Sequence, residues 1–301
     1  MNGNIKKGGA LVLCAALCWG LISPIAKIIA ASNIDLMTLM VFRSLFTMVA
    51  SLLCLITGGR RGRLRIDRER LGFYFLCGTL TVAMTGGGYL KSLNYLTVAQ
   101  AIVIQYSAPL VTLAGSIWVT RERPTLLQAA AGFMIVAGVI AGMGGSVVSF
   151  ASVPVEGLIW GLLTVAGTSG QTLAVRRYSI SHKSDELAML FYSNIFGAAI
   201  LIAYKTIFTG WADAALITPR IFSLMCIVGF TGSFLSYGFF YAALKYIPAA
   251  VASLLCTFEI VVAVGLTAVL AGQVPSGHEI LGCALIMTAI FCASVAPKRK
   301  K

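Results

Sequence analysis

Charge is scarce in this sequence. Asp, Glu, Lys and Arg make up 11% of its 301 residues, where soluble globular domains carry about a quarter. With 58% hydrophobic residues and a mean hydropathy of +0.91, the chain has too little polar surface to cover itself against water. That excludes the pair of soluble domains its length would otherwise imply. Histidine is nearly missing: His182 and His278 both fall between apolar runs. No Ser or Cys therefore has a candidate base at the same membrane level, and no metal-ligand spacing occurs, so nucleophilic and metal catalysis lack their parts. No enzyme activity, cofactor or metal is expected. The eight cysteines all sit inside apolar runs without a CxxC pair and read as small helix fillers. Long loops are missing too. The longest, 58–70, leaves no room for a nucleotide domain, and Gly86-Gly87-Gly88 lacks the lysine of a phosphate loop.

What is present is a series of apolar runs of spanning length, about 20 residues each. They lie near 9–30, 36–57, 71–90, 97–119, 126–145, 155–175, 186–206, 220–242, 249–271 and 280–296. The expected fold is an all-α polytopic membrane protein of ten spans. The first run is too long for a signal-peptide core and no small-x-small cleavage site follows it, so it is expected to remain as span one. The net charge of +13 is carried in short stretches between runs, which reads as topology and not as a nucleic-acid surface. With a cytoplasmic amino terminus, the inner loops collect Lys6, Lys7, the arginines of loop 58–70, Arg121, Arg123, Arg176, Arg177, Lys183, Lys245, Lys298, Arg299, Lys300 and Lys301. Only Lys27, Lys91, Lys205, Arg220 and the intramembrane Arg43 remain elsewhere. Both termini are thus expected inside, in a plasma (inner) membrane.

The chain repeats itself near an offset of 150. Asp35 to Phe46 (DLMTLMVFRSLF) aligns with Asp185 to Phe196 (DELAMLFYSNIF), and Leu93 to Leu96 aligns with Leu244 to Ile247 at an offset of 151. Each half holds five spans, and because five is odd the second half must enter the membrane inverted. The charge bias agrees: loop 58–70 carries six arginines, whereas the loop near 207–219 carries none and shows Trp211 and Asp213. Inverted repeats are typical of secondary transporters with a substrate site near the midplane. The expected units are 1–147, 155–297 and a basic tail, 298–301.

Several residues resemble the EamA type of the drug/metabolite transporter superfamily. They are Trp19-Gly20 with Ser23-Pro24 in span one, Arg43 in span two, and Arg121-Glu122-Arg123-Pro124-Thr125 with Gln128 and Gly132 at span five. Ala243-Leu244-Lys245-Tyr246 before span nine and Glu259 within it complete the set. The family often has Glu-Pro in span nine, and here Glu259 is followed by Ile260. The resemblance implies transport of small metabolites, often export of amino acids or similar compounds, without ATP hydrolysis and without a cofactor. A channel-like or lipid-scrambling protein is the alternative, and either a monomer or a homodimer fits.

Glu259 lies near mid-membrane, where an ionised carboxylate costs about 2.5 kcal/mol or more unless paired or solvated. It is expected to face a cavity as a substrate-binding or proton-coupling group, with a structural carboxylate as the alternative. Arg43 sits about two turns into span two. It has three readings: an anion-binding group, a partner of Glu259, or a residue that positions its helix. Tyr89, Gln105, Tyr106, Tyr237 and Tyr241 offer an apolar wall with a few hydrogen bonds, as small-molecule sites do. Trp19 and Ser23 share one face of span one and are further substrate-binding candidates. Pro24, Gly87, Pro109 and Gly238 are candidate bends or gates. Gln171 and Ser193-Asn194 are expected to hydrogen-bond between helices.

Overall fold

A computed structural model describes residues 3–59, 61–64, 68–144, 153–182, 185–271 and 274–295. Among these residues there is no strand. The helices are α1 (Gly3–Gly20), α2 (Ile22–Ala30), α3 (Leu36–Thr57), α4 (Arg68–Gly78), α5 (Gly88–Ser92), α6 (Val98–Gln105), α7 (Ala108–Trp118) and α8 (Leu126–Gly142). They continue as α9 (Val155–Ser181), α10 (Glu186–Phe208), α11 (Pro219–Gly229), α12 (Ser236–Ala243), α13 (Ala249–Cys256), α14 (Phe258–Ala271) and α15 (Gly277–Val295). Two π-helical segments, Thr79–Gly87 and Phe230–Leu235, join α4 to α5 and α11 to α12. Among the described residues, eight continuous helical stretches are long and apolar enough to cross a membrane, and Leu126–Gly142 is a shorter apolar helix.

Helix starts follow the capping residues. Asp35 accepts from Met37 N at the head of α3, and Asp185 accepts from Leu187 N and Ala188 N at the head of α10. Thr97 with Gln100 and Thr125 with Gln128 form reciprocal capping boxes, and Ser276 with Glu279 does the same for α15.

Three expected spans are broken, each for a local reason. Span one parts at Leu21, where Pro24 has no N–H to donate to the Gly20 carbonyl. Span four parts at Tyr106-Ser107 and span nine at Thr257. At both of these breaks a hydroxyl bonds the carbonyl three residues back, Ser107 to Ile104 at 2.6 Å and Thr257 to Leu254 at 2.7 Å, in competition with the helical ladder. Pro109, in the first turn of α7, cannot extend the ladder backwards. One boundary needs correction. Span six does not end near 175 but runs to Ser181, so Arg176 and Arg177 lie on α9 and not in a loop.

Packing is reciprocal between the two sequence halves. α3 lies on α10 and α8 on α15, each pair joining repeat-equivalent helices. α1 packs on α12, and α9 packs on the first π segment and α5. Without a hydrophobic driving force in lipid, such contacts depend on close backbone approach. A Cβ on Gly138 would stand 3.0 Å from Gly282 O, and one on Gly282 would stand 2.6 Å from Gly138 O. Only 28% to 50% of each spanning window is buried, and Leu126, Phe133, Val269 and Phe291 project outward. Water would not tolerate so much exposed hydrocarbon, and a bilayer does.

Candidate functional site

Arg43 is carried into the centre of the molecule by α3. Its Nε donates to Ser233 Oγ at 2.9 Å and one terminal nitrogen donates to Gly232 O at 2.8 Å. The other terminal nitrogen approaches Met40 Sδ at 3.3 Å. Gly232 and Ser233 belong to the second π segment, a kind of irregularity that recurs at functional sites. A small cavity opens beside the guanidinium. From one half Ser44, Thr81 and Val82 line it, and from the other Leu190, Asn194, Tyr237 and Tyr241. Tyr241 Oη and Thr81 Oγ1 lie 3.1 Å apart and tie the two walls together.

A second polar group forms where the breaks of spans four and nine meet. Tyr106, the cap of α6, donates its hydroxyl to Glu259 Oε1 at 2.6 Å, and Glu259 lies in the first turn of α14. Tyr89 lies within electrostatic reach of the same carboxylate. Tyr237 lines the cavity beside Arg43. Trp19 packs edge-on against Tyr237 and Phe240, with ring centroids 5.1 and 5.5 Å apart.

The candidate residues therefore separate into two sets. Tyr237, Tyr241 and Arg43 line the cavity with Trp19 behind them. Tyr106 and Glu259 meet at the helix breaks, with Gln105 closing α6, while Tyr89 lies on α5. Among the described residues no carboxylate ion-pairs with Arg43, so the pairing with Glu259 is not made. The side chains of Ser23 and Pro24 lie outside the described residues. Gly87 ends the first π segment, where a Cβ would stand 3.0 Å from Leu201, while Gly238 has ordinary room. Ser193 and Asn194 bond Leu190 O within their own helix and not another helix, because that carbonyl lies one turn away. Gln171 is buried on α9 and its Oε1 has no hydrogen-bond partner among the described residues.

Sequence reasoning missed two ion-pair clusters that tie the halves at opposite ends. At one end Lys205, 1% exposed, lies 2.9 Å from Asp35 Oδ2 and 3.2 Å from Asp213 Oδ1. Asp213 also accepts from the Asp35 backbone and from Thr38 Oγ1. Partial burial pushes the Asp213 carboxyl up, but the Thr38 hydroxyl and the Lys205 ammonium outweigh it and hold it below the ordinary carboxylate range. At the other end Glu122 Oε1 accepts from Arg176 at 2.6 and 3.0 Å, and Oε2 accepts from Thr120 Oγ1 and Ala249 N. Arg176 also donates to Leu244 O at 2.8 Å. Arg121, with φ of 57°, makes the left-handed turn that precedes Glu122. Opposite charges facing each other near the ends of distant spans were the available signal.

The model of the EamA-like transporter family matches residues 6–142 and again residues 155–295. Among solved structures, one protein superposes with a TM-score of 0.81 at 17% identity over 96% of each chain. At that identity the likeness concerns the fold alone. Among curated proteins no match is found.

Proposed function

We propose, from the premise that this chain belongs to the EamA-like transporter family, that it is a secondary transporter exporting small metabolites such as amino acids by alternating access. As a member it is an integral membrane transporter with a small-molecule substrate. The observation that carries the finer reading is the cavity at Arg43, which both halves line and whose two flanking ends are each tied across the halves by charge. A site closed at both ends by breakable contacts is what a carrier needs in its occluded state.

The reciprocal packing of α3 on α10, α8 on α15, and α1 on α12 against α9 on the first π segment supports ten spans arranged as two inverted halves, 1–147 and 155–297. The clustering of basic residues in alternate loops supports cytoplasmic termini in a plasma or inner membrane. In this arrangement the Asp35 end faces outward and the Glu122 end inward. A proton at Glu259 is the proposed coupling ion, with Tyr106 as its hydrogen-bonding partner.

Proteoliposomes loaded with single amino acids, amines or nucleosides test the reading by counterflow. A saturable exchange is expected for at least one compound, and Glu259→Gln is expected to flatten its pH dependence. Flux that never saturates and shows no exchange would make the protein channel-like or lipid-scrambling. An unchanged pH profile would remove Glu259 from coupling.

A further inference from the structure

A guanidinium offers five N–H donors and requires an anion or water to offset its charge in a low-dielectric setting. At Arg43 the acceptors are a hydroxyl, a backbone carbonyl and a thioether sulfur, all uncharged, and the last of them weak. The cavity it faces is lined by no Asp or Glu. Glu259 does not supply the missing charge, since Tyr106 holds its Oε1 at the helix breaks. The protein side chains at this site thus leave room for a negative charge on the cavity's occupant.

The first-half wall keeps Thr81 Oγ1 engaged with Tyr241, so the walls leave the charged fork of Arg43 as the strongest donor in the cavity.

We propose that Arg43 is the docking point for a carboxylate on the transported molecule, with Ser233 and Gly232 aiming its guanidinium into the cavity. The planar fork matches a carboxylate bidentately, and the small cavity admits that group more readily than a phosphate. The inference rests on the carrier reading for the word "transported" alone, because binding can be read without transport.

The test uses the full chain in detergent and matched acid and carboxamide probes: L-leucine with L-leucinamide, L-phenylalanine with L-phenylalaninamide, and 3-phenylpropionate with 3-phenylpropionamide. At least one acid should raise the melting temperature in a saturable manner, with its amide at least about tenfold weaker. Arg43→Gln should abolish the preference for the acid, and Arg43→Lys should retain part of it. Amides that bind as well as their acids, an acid preference that survives in Arg43→Gln, or no shift from any acid would each overturn the proposal. The acid-to-amide ratio of the unmutated protein reads the proposal even where the glutamine variant does not fold. Acids that bind without exchange in proteoliposomes would leave the docking point standing and remove the carrier reading instead.

Discussion

The two ends of the seam between the halves are closed by different electrostatic designs. At the Asp35 end a buried ammonium sits between two carboxylates, one 39% and one 14% exposed, with the Trp211 ring 5.3 Å from its nitrogen. At the Glu122 end one carboxylate gathers a guanidinium, a hydroxyl and a backbone N–H, and the guanidinium goes on to a carbonyl. The first end therefore depends on a charge balance that water can partly replace. The second depends on one carboxylate shared by three donors, of which Arg176 and Thr120 also reach a backbone carbonyl and Ala249 N does not. Removing that carboxylate takes a bond from three donors together and leaves a guanidinium without its counter-charge, whereas removing the ammonium relieves a desolvation cost while it leaves two acids without their cation.

Glu122→Ala tests the comparison with the largest expected effect, a loss of about 2–3 kcal/mol in stability, since the partly buried Arg176 loses its counter-charge and Ala249 N its acceptor, while Thr120 keeps only Ser116 O. Thermal unfolding in one fixed detergent measures it, and a loss no greater than that of Lys205→Met would reverse the ranking of the two ends. Lys205→Met keeps the hydrocarbon stem and should cost less, about 1–2 kcal/mol. It should also raise thiol labelling of a cysteine placed at the Asp35 end and lower labelling at the Glu122 end. Equal labelling at both ends would mean that the lysine does not hold the seam closed.

The smallest effect belongs to Asp213→Asn, below about 1 kcal/mol, because the amide oxygen still accepts from Thr38 and the Asp35 backbone and only the charge is lost. Its sign is checked by pH. A carboxyl held below its unfolded value of 3.8 contributes its full stabilisation above that value and loses it as the pH falls through the depressed native one. The stability gap between the unmutated protein and Asp213→Asn should therefore be constant above pH 3.8 and close on further acidification. A gap that widens in acid would mean that Lys205 does not hold this carboxylate ionised.

The all-helical fold, eight of the apolar stretches and several helix starts could be read from hydropathy and from Asp35, Asp185, Thr125 and Ser276, because capping is a local matter of one side chain and a few amides. Arg176 was misplaced for the opposite reason. A basic residue ends a hydropathy run without ending a helix, so α9 continues past the apolar window with both arginines on it. Arg43 and Glu259 stood out because an ionisable group in an apolar run is costly wherever it lies. Their partners could not be read, since Ser233 is 190 residues from Arg43 and Tyr106 is 153 from Glu259. The repeat held one usable hint: the offset of 151 that aligns Leu93 with Leu244 also aligns Tyr106 with Thr257, two residues before Glu259. The pairing of Lys205 could not be read either, because a lone lysine at a helix boundary gives no sign of Asp35 and Asp213 arriving from other parts of the chain.

The outward-facing side chains of Leu126, Phe133, Val269 and Phe291 have a practical bearing on all of these measurements. With half or more of the residues in each of these spanning windows at least partly exposed, the amphiphile that wraps the protein becomes part of its folded state. A micelle too thin to cover that girdle leaves copies free to stick to one another through it. Melting temperatures are comparable only within one wrapping, and transfer between wrappings counts as a perturbation in its own right.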